Sequence, residues 1–352
     1  MSGRPKNLRS IAVGCLLAAA VASTPIMARD ATTVLLVLNQ KDRSLALVDP
    51  TSLKVVSRVD AGEDPHEVVA SADGKMAYIT NYGSLATPQH TLSMVDLTTS
   101  KPLPPVDLGA ILAPHGLCFV GGRVYFTAEG SKLVGRYDPA TARVDMLVGI
   151  GQDRTHMLLV DEDGRRIFTS NVTSNTISVL QRDNKNSDNR WLESIMFSNG
   201  DISGWTETTI AVGKGPEGFD VAPDGKELWA ANTHDGTVSI IDIATLKVAQ
   251  VIDVHMKSAN RLKFTPDGRQ VLISDLGNGE LVVVDTASRQ ELKRLSLGHG
   301  AGGILMAPDG SRAYVAVSRD DIVAVIDLKT WSVTARIPTG QWPDGMAWAI
   351  RK

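Results

Sequence analysis

From residue 32 onward the chain alternates short apolar runs with clusters of turn residues, four runs to a unit. One unit reads "GFDVAPDG", "KELWAAN", "VSIIDI" and "VAQVIDV", within residues 218–254. Each run is rich in Val, Ile or Ala and is bounded by Gly, Asn, Asp or Pro. That pattern predicts a strand. The turn that closes the first run recurs at Asp73-Gly74, Gly121-Gly122, Asp163-Gly164, Asp224-Gly225, Asp267-Gly268 and Asp309-Gly310, so the glycines are spaced 48, 42, 61, 43 and 42 apart. Four strands per period of about 42 residues predict β-propeller blades. Six full units run from about residue 62 to 340. The N-terminal runs "TVLLVLN", "SLALVDP" and "VVSRVDA" supply strands two to four of a seventh blade, and the C-terminal "PDGMAWAI" supplies its first strand. The predicted fold is therefore all-β: one seven-bladed propeller over residues 29–352, its ring closed by both chain ends so that no sheet edge is left open at the seam. The 61-residue spacing carries an insertion at residues 182–205, between strands three and four of the third unit. It is polar, with Trp191, Phe197 and Trp205 interspersed, and is expected to be a surface hairpin or a partner-binding element.

The first 28 residues stand apart from this pattern. Arg4, Lys6 and Arg9 precede the apolar run "IAVGCLLAAAVAS", and Ala28 ends a small-residue cleavage site. This is the pattern of a secretory signal peptide, too short to be a stable membrane span. Removing it would take the formal charge from −3 to −6. Weak acidity argues against a broad nucleic-acid surface. Only Cys118 would remain, in "GLCFV", so no internal disulfide is expected and the thiol is expected in the core. There is no Walker motif, no GxGxxG between a strand and a helix, no CxxCH and no GxSxG.

The segments "AYITNYGS" and "LWAANTHDGTVSIIDIATLKVAQVI" resemble the YVTN family of β-propeller repeats, a resemblance that implies the fold and leaves the function open. "GPEGFDVAPDGKELWAANTHDGTVSI" is similar to a segment of the seven-bladed lactonase family, which includes phosphogluconolactonase-like members. "APHGLCF" and "DRTHMLLV" are similar to two further segments of it. The chain departs from that family at Gly218, which follows Glu217, and at Thr233, which stands where the family has a loop arginine.

In a propeller the first strand of each blade lines the central channel. Aligning the units on the Asp-Gly turn places His66, His115, His156, Glu217, Asn260, Gly302 and Asp344 at the channel mouth. His90 and His234 fall in loops between strands two and three, and His255 and His299 in loops between blades, all on the same face. Each histidine also reads as an ordinary polar residue at a wet strand end. Together, His66, His115, His156 and Glu217, with His234, form a candidate ligand set for one divalent transition metal. Tyr82, Glu129, Asn171 and Asn232 end the second strands close by. Arg154 and Arg261 flank the ring, where they would bind an anion or a developing oxyanion. The expectation is a funnel for a small anionic molecule, with lactonase-like hydrolysis or lyase chemistry carried by His115, His156, Glu217, Arg154 and Arg261, with or without metal. The alternative is a non-catalytic periplasmic or secreted propeller that docks a protein, polymer or metal ion. A monomer without nucleic-acid partners is expected in either case.

Overall fold

The computed structural model describes residues 32–84, 86–182 and 204–351. The signal-peptide expectation and most of the insertion lie outside these residues. Thr32–Lys352 forms one compact unit. Its strands assemble into seven four-stranded antiparallel sheets, each a blade. The seventh blade pairs the C-terminal strand Pro343–Arg351 with Thr32–Asn39, followed by Ser44–Asp49 and Lys54–Asp60, as expected for closure by both termini. In the third blade, Arg182 and Trp205 pair with each other across the insertion, so both belong to strands. Among the described residues no helix is long and apolar enough to cross a membrane.

Period-two apolar patterning packs the blades against one another. Val34, Leu36, Leu38, Leu45 and Leu47 of the closing blade, for example, bury against Val68, Ala77, Ile79 and Val95 of the first. Outermost strands are half-solvated, and that of the first blade, Lys101–Asp107, carries Pro102, Pro104 and Pro105. Proline cannot donate to a pairing strand, so this edge resists edge-to-edge association.

The inner strands are Pro65–Ala70, Pro114–Val120, Thr155–Val160, Pro216–Val221, Ala259–Phe264, Ala301–Met306 and Pro343–Arg351. Each has a register shift at its start, which leaves its second and third residues out of the ladder, for example His66 and Glu67 between Pro65 and Val68, or His156 and Met157 between Thr155 and Leu158. A bulge re-aims side chains, and here it turns the second residue of every inner strand toward the mouth.

Small hydroxyls from the second strands hold these bulges. Thr80 Oγ1 accepts from the Glu67 amide at 3.2 Å and donates to the His115 carbonyl at 2.7 Å. Thr127 Oγ1 does the same for the Gly116 amide, 2.8 Å, and the His156 carbonyl, 2.5 Å. Ser170 does so for the Met157 amide, 3.2 Å, and the Glu217 carbonyl, 2.7 Å. Each hydroxyl thus ties one blade's bulge to the mouth residue of the next. The adjacent asparagines stabilise their own blades. Asn171 Nδ2 donates to Thr176 and Ser178, and Asn232 Nδ2 to Thr237 and Ser239. These two residues are architectural, as turn-bracing asparagines commonly are.

Candidate functional site

Three imidazoles in edge-on and tilted contact line one side of the mouth. The ring centroids of His66 and His115 lie 4.8 Å apart, and those of His115 and His156 lie 3.8 Å apart with 35° between planes. The Tyr82 ring sits 4.9 Å from His66 and 5.5 Å from His115. His115 and His156 are both buried.

His156 is clasped by two carboxylates. Its Nδ1 hydrogen-bonds Glu129 Oε1. Its Nε2 lies 2.8 Å from Glu217 Oε2, a close charge contact off the line of a hydrogen bond. Tyr82 donates to the other Glu129 oxygen at 2.7 Å. Arg154 Nε lies 3.5 Å from Glu129 and its Nη2 3.9 Å from Glu217. Burial alone would pull the His156 pKa down, but the charges and contacts of Glu217 and Glu129 override it and push the pKa up to about 9. His156 is therefore an imidazolium at neutral pH. Burial would raise the Glu217 and Glu129 carboxyls, yet His156 holds both below the usual carboxylate range. For His115 burial and then the His156 charge both act downward, so it is neutral. Its Nδ1 is buried with no hydrogen-bond partner.

A second charged group bridges the inner strands beside the ring. Arg261, from the fifth blade, donates to Glu67 of the first blade at 2.9 Å and to Glu217 of the fourth at 3.4 Å. Burial lowers and the three acids Glu67, Asp344 and Glu217 raise the Arg261 pKa, the acids prevailing, so the guanidinium stays charged. Glycines make room for it. A Cβ on Gly218 would come 2.8 Å from Arg261 Cα and 3.1 Å from its Cδ, and one on Gly345 would come 3.2 Å from Glu67 Oε2. The Gly218 departure from the lactonase-type segment thus lets the next inner strand approach, with the Asn260 carbonyl oxygen 2.7 Å from where a Cβ would lie.

The remaining void is a funnel of about 230 Å³ whose wall includes Arg154, His156, Glu217, Arg261, Arg319 and Asp344. His66, His115, Asn260 and Gly302 also line it, so all seven expected mouth residues converge. Arg154 stands at the rim with a 44% exposed side chain. His234 is exposed and does not line the funnel, and the same holds for His255 and His299. His90, whose Nε2 lies 3.6 Å from Asp107, is likewise outside it. Among the described residues the group with metal-ligand spacing is His115, Glu129 and His156, whose donor atoms lie within 4.8 Å of one another. It shares His115 and His156 with the expected set but takes Glu129 in place of His66, Glu217 and His234. Sequence reasoning missed Glu67 altogether, and no local signal marks it: it follows His66 on a strand and meets its partner from a non-adjacent blade. Cys118 is partly buried, and burial pushes its thiol pKa up, as suits a structural thiol.

Comparisons with known proteins agree on the architecture. A putative 6-phosphogluconolactonase from Bacteroides fragilis NCTC 9343 superposes with a TM-score of 0.72 at 17% identity, covering 92% of this chain and 99% of that one. Kuenenia stuttgartiensis hydrazine synthase gives 0.64 at 21% identity, over 80% of this chain and 89% of that one. Dihydro-heme d1 dehydrogenase NirN in complex with DHE gives 0.61 at 15%, over 89% and 74%. At such identities these similarities establish the fold. No curated protein matches the chain. The model of the cytochrome D1 heme domain family matches residues 89–304, more than half the sequence, and the chain belongs to that family.

Proposed function

We propose that the funnel binds a small organic anion and performs acid–base chemistry on it, a lactonase-like hydrolysis being the reaction its groups suit best. The observation that carries this reading is the His156 clasp: an imidazolium fixed between Glu129 and Glu217 and lying 3.8 Å from the neutral imidazole of His115. A buried acid beside a buried base, at neutral pH, is what proton transfer in both directions needs. In a lactone or ester hydrolysis, His115 takes a proton from water as the water oxygen attacks the carbonyl carbon. Arg154, at the rim, faces the oxyanion that forms. When the C–O bond breaks, His156 gives its Nε2 proton, which no hydrogen bond holds, to the leaving oxygen; the proton taken up by His115 then passes to His156, while Glu129 and Glu217 keep the ring in place. The structural similarity to a putative 6-phosphogluconolactonase supports this class of substrate. The basic and apolar segments ahead of residue 29 support an exported protein. A panel of lactones and aryl esters offered to the parent, His115→Gln and His156→Gln tests the reading. Turnover lost in both variants, with folding intact, supports it, whereas equal turnover in all three removes it.

The family description implies a heme. Imidazole and phenol are suitable donors for its iron, but the space is wrong. The funnel is smaller than the roughly 300–1,000 Å³ of sites that enclose drug-sized ligands, and its wall is charged where a macrocycle's faces need apolar cover. His156 Nδ1 is bonded to Glu129, and its Nε2 faces the Glu217 carboxylate at 2.8 Å, where an iron would have to displace that carboxylate. The described residues do not fit an enclosed tetrapyrrole, and no step is routed through one.

A second reading is favoured by the His115, Glu129 and His156 donors. His115, Glu129 and His156 would hold a divalent transition metal, which would supply Lewis-acid activation of water. Elemental analysis of protein purified without chelator, alongside His115→Ala/His156→Ala, decides it: metal near one per chain that vanishes in the variant favours the metal, and none in either favours the protonated clasp.

A further inference from the structure

Of the seven residues that crown the inner strands, Gly302 is the one without a side chain, and the fold does not require glycine there. Elsewhere around the channel it does. A Cβ on Gly116, Gly218, Gly303 or Gly345 would come within 2.3–2.7 Å of a backbone oxygen of the next inner strand. Gly302 differs. Its φ lies outside the left-handed region, and a Cβ would meet its nearest neighbours, Asn260 Oδ1, Asp344 Oδ1 and Leu276 Cδ1, only at 3.8–3.9 Å. That is ordinary van der Waals contact. All three neighbours line the funnel, as Gly302 itself does, so a larger side chain here would take up cavity. What glycine preserves at this position is empty space inside the site.

That space has a definite place and chemistry. Gly302 belongs to the sixth blade, across the ring from the second and third blades that carry His115 and His156. Its surroundings mix an apolar side chain, Leu276, with an amide, Asn260, and a carboxylate, Asp344, which Gln40 holds by a 2.7 Å hydrogen bond. Donors and acceptors beside an apolar surface match a hydroxylated carbon skeleton: hydroxyls bond to the polar groups while C–H faces lie on Leu276.

We infer that the gap above Gly302 is the subsite for the non-reacting body of the ligand, and that this body is hydroxylated. The inference rests on the reading of the funnel as an organic-anion site and adds what the anion carries. Titration calorimetry with two matched carboxylates tests it: shikimate, a hydroxylated cyclohexene carboxylate, and cyclohex-1-ene-1-carboxylate, the same skeleton without hydroxyls. The parent is expected to bind shikimate at least about tenfold more tightly, since a site built for hydroxyls leaves its polar groups unpaired with the bare ring. Gly302→Val is expected to lose about tenfold or more in shikimate affinity with the melting temperature unchanged. Should Gly302→Val fail to fold, Asp344→Asn and Asn260→Ala are expected to bring the ratio of the two affinities toward one. A parent that binds neither carboxylate or does not distinguish them, a Gly302→Val variant that binds shikimate like the parent, or an unchanged ratio in the two polar variants overturns the subsite. His156→Gln, titrated alongside, addresses the underlying reading separately. If it binds both carboxylates as tightly as the parent, the anion site itself is wrong, whatever Gly302 does.

Discussion

The residue on which the site depends is His156. Two carboxylates and one imidazolium share a buried space, and the arrangement stabilises the fold only while the ring is charged. Its folded pKa of about 9 exceeds the ordinary value of about 6.5. The clasp therefore contributes its full stability below about pH 6.5, and that contribution is lost as the pH rises through about 9, leaving two buried carboxylates with no positive charge between them. The shift corresponds to roughly 3 kcal/mol. The melting temperature is expected to fall between pH 7 and pH 10 in the parent, and this fall should be much shallower in His156→Gln, which has no charge to lose. Parallel pH profiles for the two proteins would show that the clasp is not what couples stability to pH. At the same scale, Glu129→Gln removes one of the two charges that hold the proton. It should lower the His156 pKa, and a histidine titration followed by NMR reads the change.

At the scale of the element, the working unit is the bulge at the start of each inner strand together with the hydroxyl behind it. Thr127→Val keeps the shape but removes the partner of both the Gly116 amide and the His156 carbonyl. Two buried backbone groups left unpaired should cost about 1–3 kcal/mol or more, read from chemical denaturation. Gly116→Ala should cost about 1–3 kcal/mol by overpacking, since its Cβ would lie 2.6 Å from the His156 carbonyl oxygen. Gly302→Ala should cost almost nothing, and equal losses at the two glycines would contradict the distinction drawn between them. Much of this element was legible in the sequence. The Asp-Gly turn sets the register, and counting back from it or its Gly-Gly equivalent finds the mouth residue in the six blades that carry it, while Asp344 follows from aligning the start of the C-terminal strand. The Ser or Thr preceding the "N" of the repeat could be seen but not interpreted, because its second partner lies in the next blade. Gly218 read as a departure from a family pattern and proved to be room for the backbone of the next inner strand at Asn260 and Arg261. In each case the missing information was a contact between blades, which no local pattern encodes.

At the scale of the whole molecule, closure brings together what the chain holds far apart. Arg261 meets Glu67 across the channel, 194 positions away in sequence, so the pair ties the fifth blade to the first. The propeller fold, its seven blades and its closure by both termini followed from periodicity, and Glu129 was already placed beside the mouth, whereas Glu67 became a functional candidate only once the ring was closed. The closing blade depends on the strand Pro343–Arg351 pairing with Thr32–Asn39. Deleting residues 343–352 removes Asp344 and opens the ring, and it is expected to abolish the single cooperative unfolding transition. A truncated chain that still unfolds in one transition near the parent's midpoint would argue that closure contributes little.

The most direct test of the account is the protonation state of His156 itself, read at pH 7.5 from the side-chain nitrogen shifts of histidine-labelled protein, with His156→Gln to assign the signals. Protons on both ring nitrogens of His156, a neutral His115 and a midpoint for His156 near pH 9 are the expected result. A neutral or metal-bound His156 at that pH would contradict it, and with it the pairing of a buried acid and a buried base on which the proposed chemistry stands.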